Sequence, residues 1–134
     1  MTASLATPSV PVSWGELWDK ITILELKTKM LTSPEALRNV ELELSLLRKI
    51  VTEVEIAGGA ELSALVDQLR AVNGRLWVIE DDIREQERQK DFGEKFVSLA
   101  RSVYFQNDER AAVKRRINKL LASEIVEEKS YAAY

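Results

Sequence analysis

The sequence predicts an all-α protein, an antiparallel helical bundle of four long helical segments with the last kinked near Asn107. Three observations carry this reading. Apolar residues recur in steps of three and four along most of the chain, helix-start chemistry appears repeatedly, and only 5 Gly and 3 Pro interrupt 134 residues.

Residues 1–12 read as an extended lead-in, because Pro8 and Pro11 each fix φ and remove an amide donor. The bundle follows over 13–123, and a charged, then small and aromatic, tail over 124–134. The first helix opens at Ser13-Trp14-Gly15-Glu16, where Ser13 can accept from the Glu16 amide while Glu16 reaches back, with Val12 and Leu17 as a hydrophobic staple. It is expected over 14–31. Leu17, Ile21, Leu24 and Leu31 line one side and Ile23, Leu26 and Met30 another, the pattern of a helix that is sandwiched or that forms a homodimer through the second side.

Ser33-Pro34 starts the second segment, a hydroxyl cap followed by the residue best suited to the first helical position. Its seam is Leu37, Val40, Leu44, Leu47, Val51 and Val54, widened by Leu42, Leu46 and Ile50, and it ends at Gly58-Gly59. A third segment begins near Ala60 and carries Leu62, Leu65, Leu69, Val72, Leu76, Ile79 and Ile83. Asp91-Phe92-Gly93-Glu94 supplies an acidic cap with Glu three positions on, opening a fourth segment with Phe92, Phe96, Leu99 and Val103. Asn107 or Asp108 can cap a fresh helix, and the seam resumes at Val113, Ile117, Leu120 and Leu121. With almost no loop between 60–90 and 92–122, those two arms are expected side by side and antiparallel.

Composition narrows the chemistry. Histidine and cysteine are absent, which excludes Ser-His-Asp and Cys-His catalysis, zinc sites of imidazole and thiolate, and disulfide frameworks. The formal net charge of -3 disfavours whole-surface binding to nucleic acid or to an anionic membrane. The run Lys114-Arg115-Arg116 with Lys119 could touch phosphates, yet cations near a helix C-terminus are favoured by the macrodipole alone. No apolar stretch approaches the ~18 residues of a membrane span, and the opening residues lack the regions of a signal peptide, so the expectation is cytoplasmic. No cofactor is called for.

Polar side chains interrupt the seams. At 100° per residue, Gln106, Asn107, Arg110, Lys114 and Asn118 fall on the side of Phe96, Val103, Ile117 and Leu121. Asn73, Trp77, Glu80 and Arg84 share one edge of the third segment, and a hairpin near residue 90 sets Asn73 level with Asn107 and Asp108, and Glu80 level with Arg101 and Tyr104. Glu25 sits at the edge of the first helix's apolar side. Such residues are interhelical pairs and caps, or they build a ligand site inside the bundle. In the second case Arg101, Arg110 and Lys114 contact the phosphate of a phosphorylated sugar or nucleotide, Asn73, Asn107 and Asn118 orient it, and Trp77 or Tyr104 forms a wall. The enzyme alternative is a divalent-metal nucleotide hydrolase with Glu25, Glu80 and Asp81 as ligands. A third is a structural or oligomerising module. Glu16 is assigned to capping.

Three strings, SWGELWDKITILELK over 13–27, LWVIEDDIR over 76–84 and ARSVYFQNDERAAVKRRIN over 100–118, together resemble a bacterial family of small all-helical proteins of unknown function. Members occur alone or appended to glycosyltransferase-like and tetratricopeptide proteins. Glu16, Asp19, Lys20, Thr22 and Glu25 match the first string, Asn73, Trp77, Glu80 and Asp81 the second, and Arg101, Tyr104, Asn107, Asp108, Arg110, Lys114 and Asn118 the third. The resemblance implies a setting in cell-surface polysaccharide or nucleotide-sugar metabolism.

Overall fold

The computed structural model describes residues 4–134, so the first three residues of the expected lead-in lie outside the described residues. Three helices, α1 (Trp14–Met30), α2 (Pro34–Arg88) and α3 (Glu94–Leu120), account for the regular structure, and the described residues contain no strand. None of the three is long and apolar enough to cross a membrane.

Helix α1 starts as its sequence requires, with Ser13 Oγ accepting from the Glu16 amide at 3.1 Å. The expected reciprocal bond does not form; the Glu16 carboxylate accepts from Lys114 instead. Helix α2 also begins at its cap, Ser33 Oγ accepting from the Ala36 amide at 3.3 Å with Pro34 in the first position.

The second and third expected segments form one element bent at Gly59, where φ is 58° and ψ is -150°. Only glycine takes this backbone conformation without a steric penalty at Cβ. Gly58 is constrained in a different way, since a Cβ there would lie 2.5 Å from Leu62 Cβ across the bend. Arg48 and Arg70, each eleven residues from Gly59, both pair with Glu25 of α1, at 3.2 and 3.4 Å. The two arms of α2 therefore converge on α1.

The start of α3 moves from the expected Asp91 to Gly93, because Asp91 Oδ1 folds onto the Gly93 amide at 3.1 Å and leaves the helix with no side-chain cap. The expected kink near Asn107 is absent, and α3 runs unbroken from Glu94 to Leu120. Val103, Gln106, Arg110, Val113 and Ile117, spaced alternately by three and four, are all buried or half-buried, so the packed stripe keeps step through Asn107. The amides there are already taken by the preceding turn and leave nothing to cap.

The core joins Leu17, Trp18 and Ile21 of α1 to Val51, Leu62 and Leu69 of α2 and Val113 and Ile117 of α3. Leu44, Leu47 and Val54 pack against it as the seam predicts. Leu42, Leu46 and Ile50 do not widen that face; they are 65%, 45% and 54% exposed. Beyond α3 the tail returns along it, with Glu127 accepting from Lys114 at 3.1 Å and Tyr134 donating to Asp108. The Tyr134 ring packs against Tyr104 and Phe105 with centroids 5.3 and 5.0 Å away.

Candidate ligand-binding groove

The helices are tied by a polar seam inside the apolar core. Asp19 and Thr22 from α1, Asn73 from α2, and Lys114 and Asn118 from α3 are all buried. Asp19 and Thr22 are one turn apart, and the threonine hydroxyl donates to the Asp19 carbonyl at 2.9 Å. The Asn73 amide donates to Asp19 Oδ1 at 2.9 Å and to Thr22 Oγ1 at 3.0 Å, leaving its own Oδ1 toward the Arg110 guanidinium at 3.4 Å. Asn118 Oδ1 accepts from the Gly15 amide at 2.6 Å, so an α3 side chain satisfies one of the first amides of α1.

Lys114 is the cation of this seam. Its ammonium lies 2.6 Å from Glu16, 3.1 Å from Glu127 and 3.8 Å from Asp19. Burial pulls its pKa down, but the hydrogen bonds to Glu16 and Glu127 outweigh that and raise it above the ordinary lysine value, so it stays charged. The same ammonium holds the Glu127 carboxyl below its ordinary range. Three carboxylates already surround Lys114, so its ammonium is engaged within the protein.

Arg110 is half-buried, and among the described residues it pairs with no carboxylate; its one side-chain partner is Asn73. It forms a wall shared by two cavities. The first, about 440 Å³, lies between α1, α2 and α3. Ile23, Leu26 and Leu76 give it apolar surface, the Trp77 side chain lines it, and Glu80, Asp81 and Arg84 supply charge. The second, about 870 Å³, lies between α3 and the tail and is lined by Tyr104, Asn107, Asp108 and Arg115 together with Lys129, Tyr131 and Tyr134.

Of the residues expected at the site, Asn73, Trp77, Glu80 and Arg110 meet in the first cavity, and Tyr104, Asn107, Asp108 and Arg110 in the second. Lys114 and Asn118 belong to the seam beneath. Glu25 is drawn away by Arg48 and Arg70, and Arg101 lies over the Phe105 ring at 5.9 Å; neither lines either cavity. Glu25, Glu80 and Asp81 do not come together, and no three carboxylates among the described residues form a group that could hold a metal ion. Ile23 and Leu26, expected on a dimer face, face the groove, while Met30 is 45% exposed. Sequence reasoning missed Glu127, Lys129 and Tyr131, which lie outside any apolar period, and picked out Arg115 only as part of the basic run Lys114-Arg115-Arg116. It gave Asp19 and Thr22 no partner, although both sit within the Leu17, Trp18 and Ile21 side of α1 and there signal a buried polar contact.

These features define a small all-helical protein whose helices are cross-tied by buried polar side chains and whose surface groove ends at an arginine that pairs with no carboxylate among the described residues. A family model described as a family of unknown function (DUF6165) matches residues 9–134, and the chain belongs to that family. No curated protein and no solved structure matches it.

Proposed function

We propose that the protein is a binding module for a small anionic ligand, a phosphorylated sugar or nucleotide, held in the groove at Arg110. The supporting observation is the state of that guanidinium, half-buried, lining both cavities, and spending one long hydrogen bond on Asn73. A guanidinium offers five donors in a planar fork that matches a phosphate, and partial desolvation strengthens such a contact. Trp77 gives a sugar or base ring a flat surface, and Asn73, locked from behind by Asp19 and Thr22, fixes the guanidinium in place. With no histidine or cysteine in the chain, the groups at the site are cations, amides, carboxylates and aromatic rings, a set suited to holding an anion. The setting suggested by the sequence resemblance, cell-surface polysaccharide or nucleotide-sugar metabolism, is compatible with such an accessory role.

Titration calorimetry with glucose 1-phosphate, UMP and AMP tests the reading. Arg110→Ala should weaken the ligand that binds by about thirty- to a hundred-and-fiftyfold, the value of roughly 2–3 kcal/mol for a charge-assisted contact, without lowering the unfolding temperature by more than about 3 °C. Absence of heat from the wild-type protein with all three ligands would refute it. A self-associating module is the second reading, favoured by the exposed stripe Leu42, Leu46 and Ile50. A monomeric mass by sedimentation at tens of micromolar would remove it.

A further inference from the structure

The two cavities that share Arg110 differ in chemistry, and the difference bears on the ligand of the site proposed above, on which this inference rests. Toward α1 and α2 the walls carry Ile23, Leu26 and Trp77, with Asp81 and, beside its 3.7 Å pairing with Arg84, Glu80 able to accept from hydroxyl or ring N–H donors. Toward the tail they are tyrosine rings, with Arg115 and Lys129 adding positive charge; the one carboxylate there, Asp108, already accepts from Tyr134. A ligand with its charge at Arg110 and a single ring fills one cavity and leaves the other to water.

We propose that the ligand is a pyrophosphate or phosphate diester bearing a ring at each end, with the phosphate at Arg110, one ring against Trp77 and the other beneath the tail. The second phosphate of a pyrophosphate runs toward Arg115 and Lys129, the side where cations outnumber carboxylates. A ring with hydroxyl or N–H donors suits the Trp77 side, where acids wait to accept. The tail thereby becomes part of the site. It is held across the cavity by Glu127 on Lys114 and by Tyr134 on Asp108, and it contributes Lys129 and Tyr131 as binding residues.

The experiment is calorimetry on the full chain with two-ended probes, UDP-glucose and ADP-ribose, against the one-ended UDP, ADP, glucose 1-phosphate and ribose 5-phosphate. The two-ended compounds should bind at least tenfold tighter than either half. Trp77→Ala and the double variant Lys129→Ala/Tyr131→Ala should each weaken them tenfold or more, whereas any one-ended compound should respond to only one of the two variants. Lys129 and Tyr131 are exposed, so the double variant keeps the fold, which unfolding temperature verifies. If one-ended compounds bind as tightly as two-ended ones, or the tail variant binds unchanged, the two-ended ligand is wrong while the Arg110 site stands. If no phosphate compound binds the wild type, both fall.

Discussion

Replacing Gly15 with alanine tests the closest approach between α1 and α3. A Cβ at this position would lie 2.5 Å from the Lys114 carbonyl oxygen and 2.9 Å from Asn118 Oδ1. The first of these is backbone inside a helix and cannot rotate away, so α1 must lift from α3 and stretch the 2.6 Å bond from the Gly15 amide to Asn118. Overpacking of this kind costs about 1–3 kcal/mol, the weakened buried hydrogen bond adds about 1, and the better helix propensity of alanine returns up to about 1. The net expectation is a loss of about 1–3 kcal/mol. Gly74→Ala is the matched control, the same chemical change in mid-α2 where nothing lies within 4 Å of the new Cβ, and it should stabilise by about 0.5–1 kcal/mol. Urea unfolding followed by circular dichroism reads both, and for a chain of this size each kcal/mol corresponds to about 3–5 °C in Tm. If Gly15→Ala stabilises the protein as Gly74→Ala does, the close packing of α1 on the α3 backbone is wrong.

Asn73→Ala removes the donor that Asp19 and Thr22 share and the acceptor that faces Arg110, so stability should fall by about 1–3 kcal/mol; a loss under about 0.5 kcal/mol would mean the seam is not joined there. Glu127 should titrate below the ordinary glutamate value because the Lys114 ammonium donates to it. A depressed folded pKa makes its contribution present above the unfolded value and lost as pH falls through the folded one, so tail anchoring weakens below about pH 4.3. Carboxyl NMR titration measures this, and Lys114→Met should return Glu127 to the ordinary range; an unchanged midpoint would break the assignment.

What could be read from sequence was what is local. Ser13, Ser33 and Pro34 announce helix starts through neighbours three residues away, and the Leu62 to Ile83 seam declares itself by period; the structure shows both. Asn107 and Asp108 carry strong capping chemistry, yet the buried stripe on either side of them stays in phase and the helix continues. Gly58-Gly59 was legible as a break but not as a bend between arms of one element. At the site, Asn73, Lys114 and Asn118 stood out as polar residues on apolar faces. Their partners did not, because Glu16, Asp19 and Gly15 lie 98, 54 and 103 residues away from the side chains they meet. Glu25 lies outside both cavities for the same reason, since nothing in its own helix shows that two arginines from α2 will pair with it.

The ties between α1 and α3 also impose an order of events on the growing chain. The amides of Trp14 and Gly15 find acceptors in Ser123 and Asn118, 109 and 103 residues later. At about 5–20 residues per second, a ribosome needs roughly 5–20 s to deliver those acceptors after the donors have emerged. Until then Leu17, Ile21 and Leu24 can be covered by α2, but Asp19 is without Lys114, and the Trp14 and Gly15 amides have only water to receive them. The helix synthesised first is thus the one finished last, and its completion waits on a loop closure whose entropy grows only slowly with length.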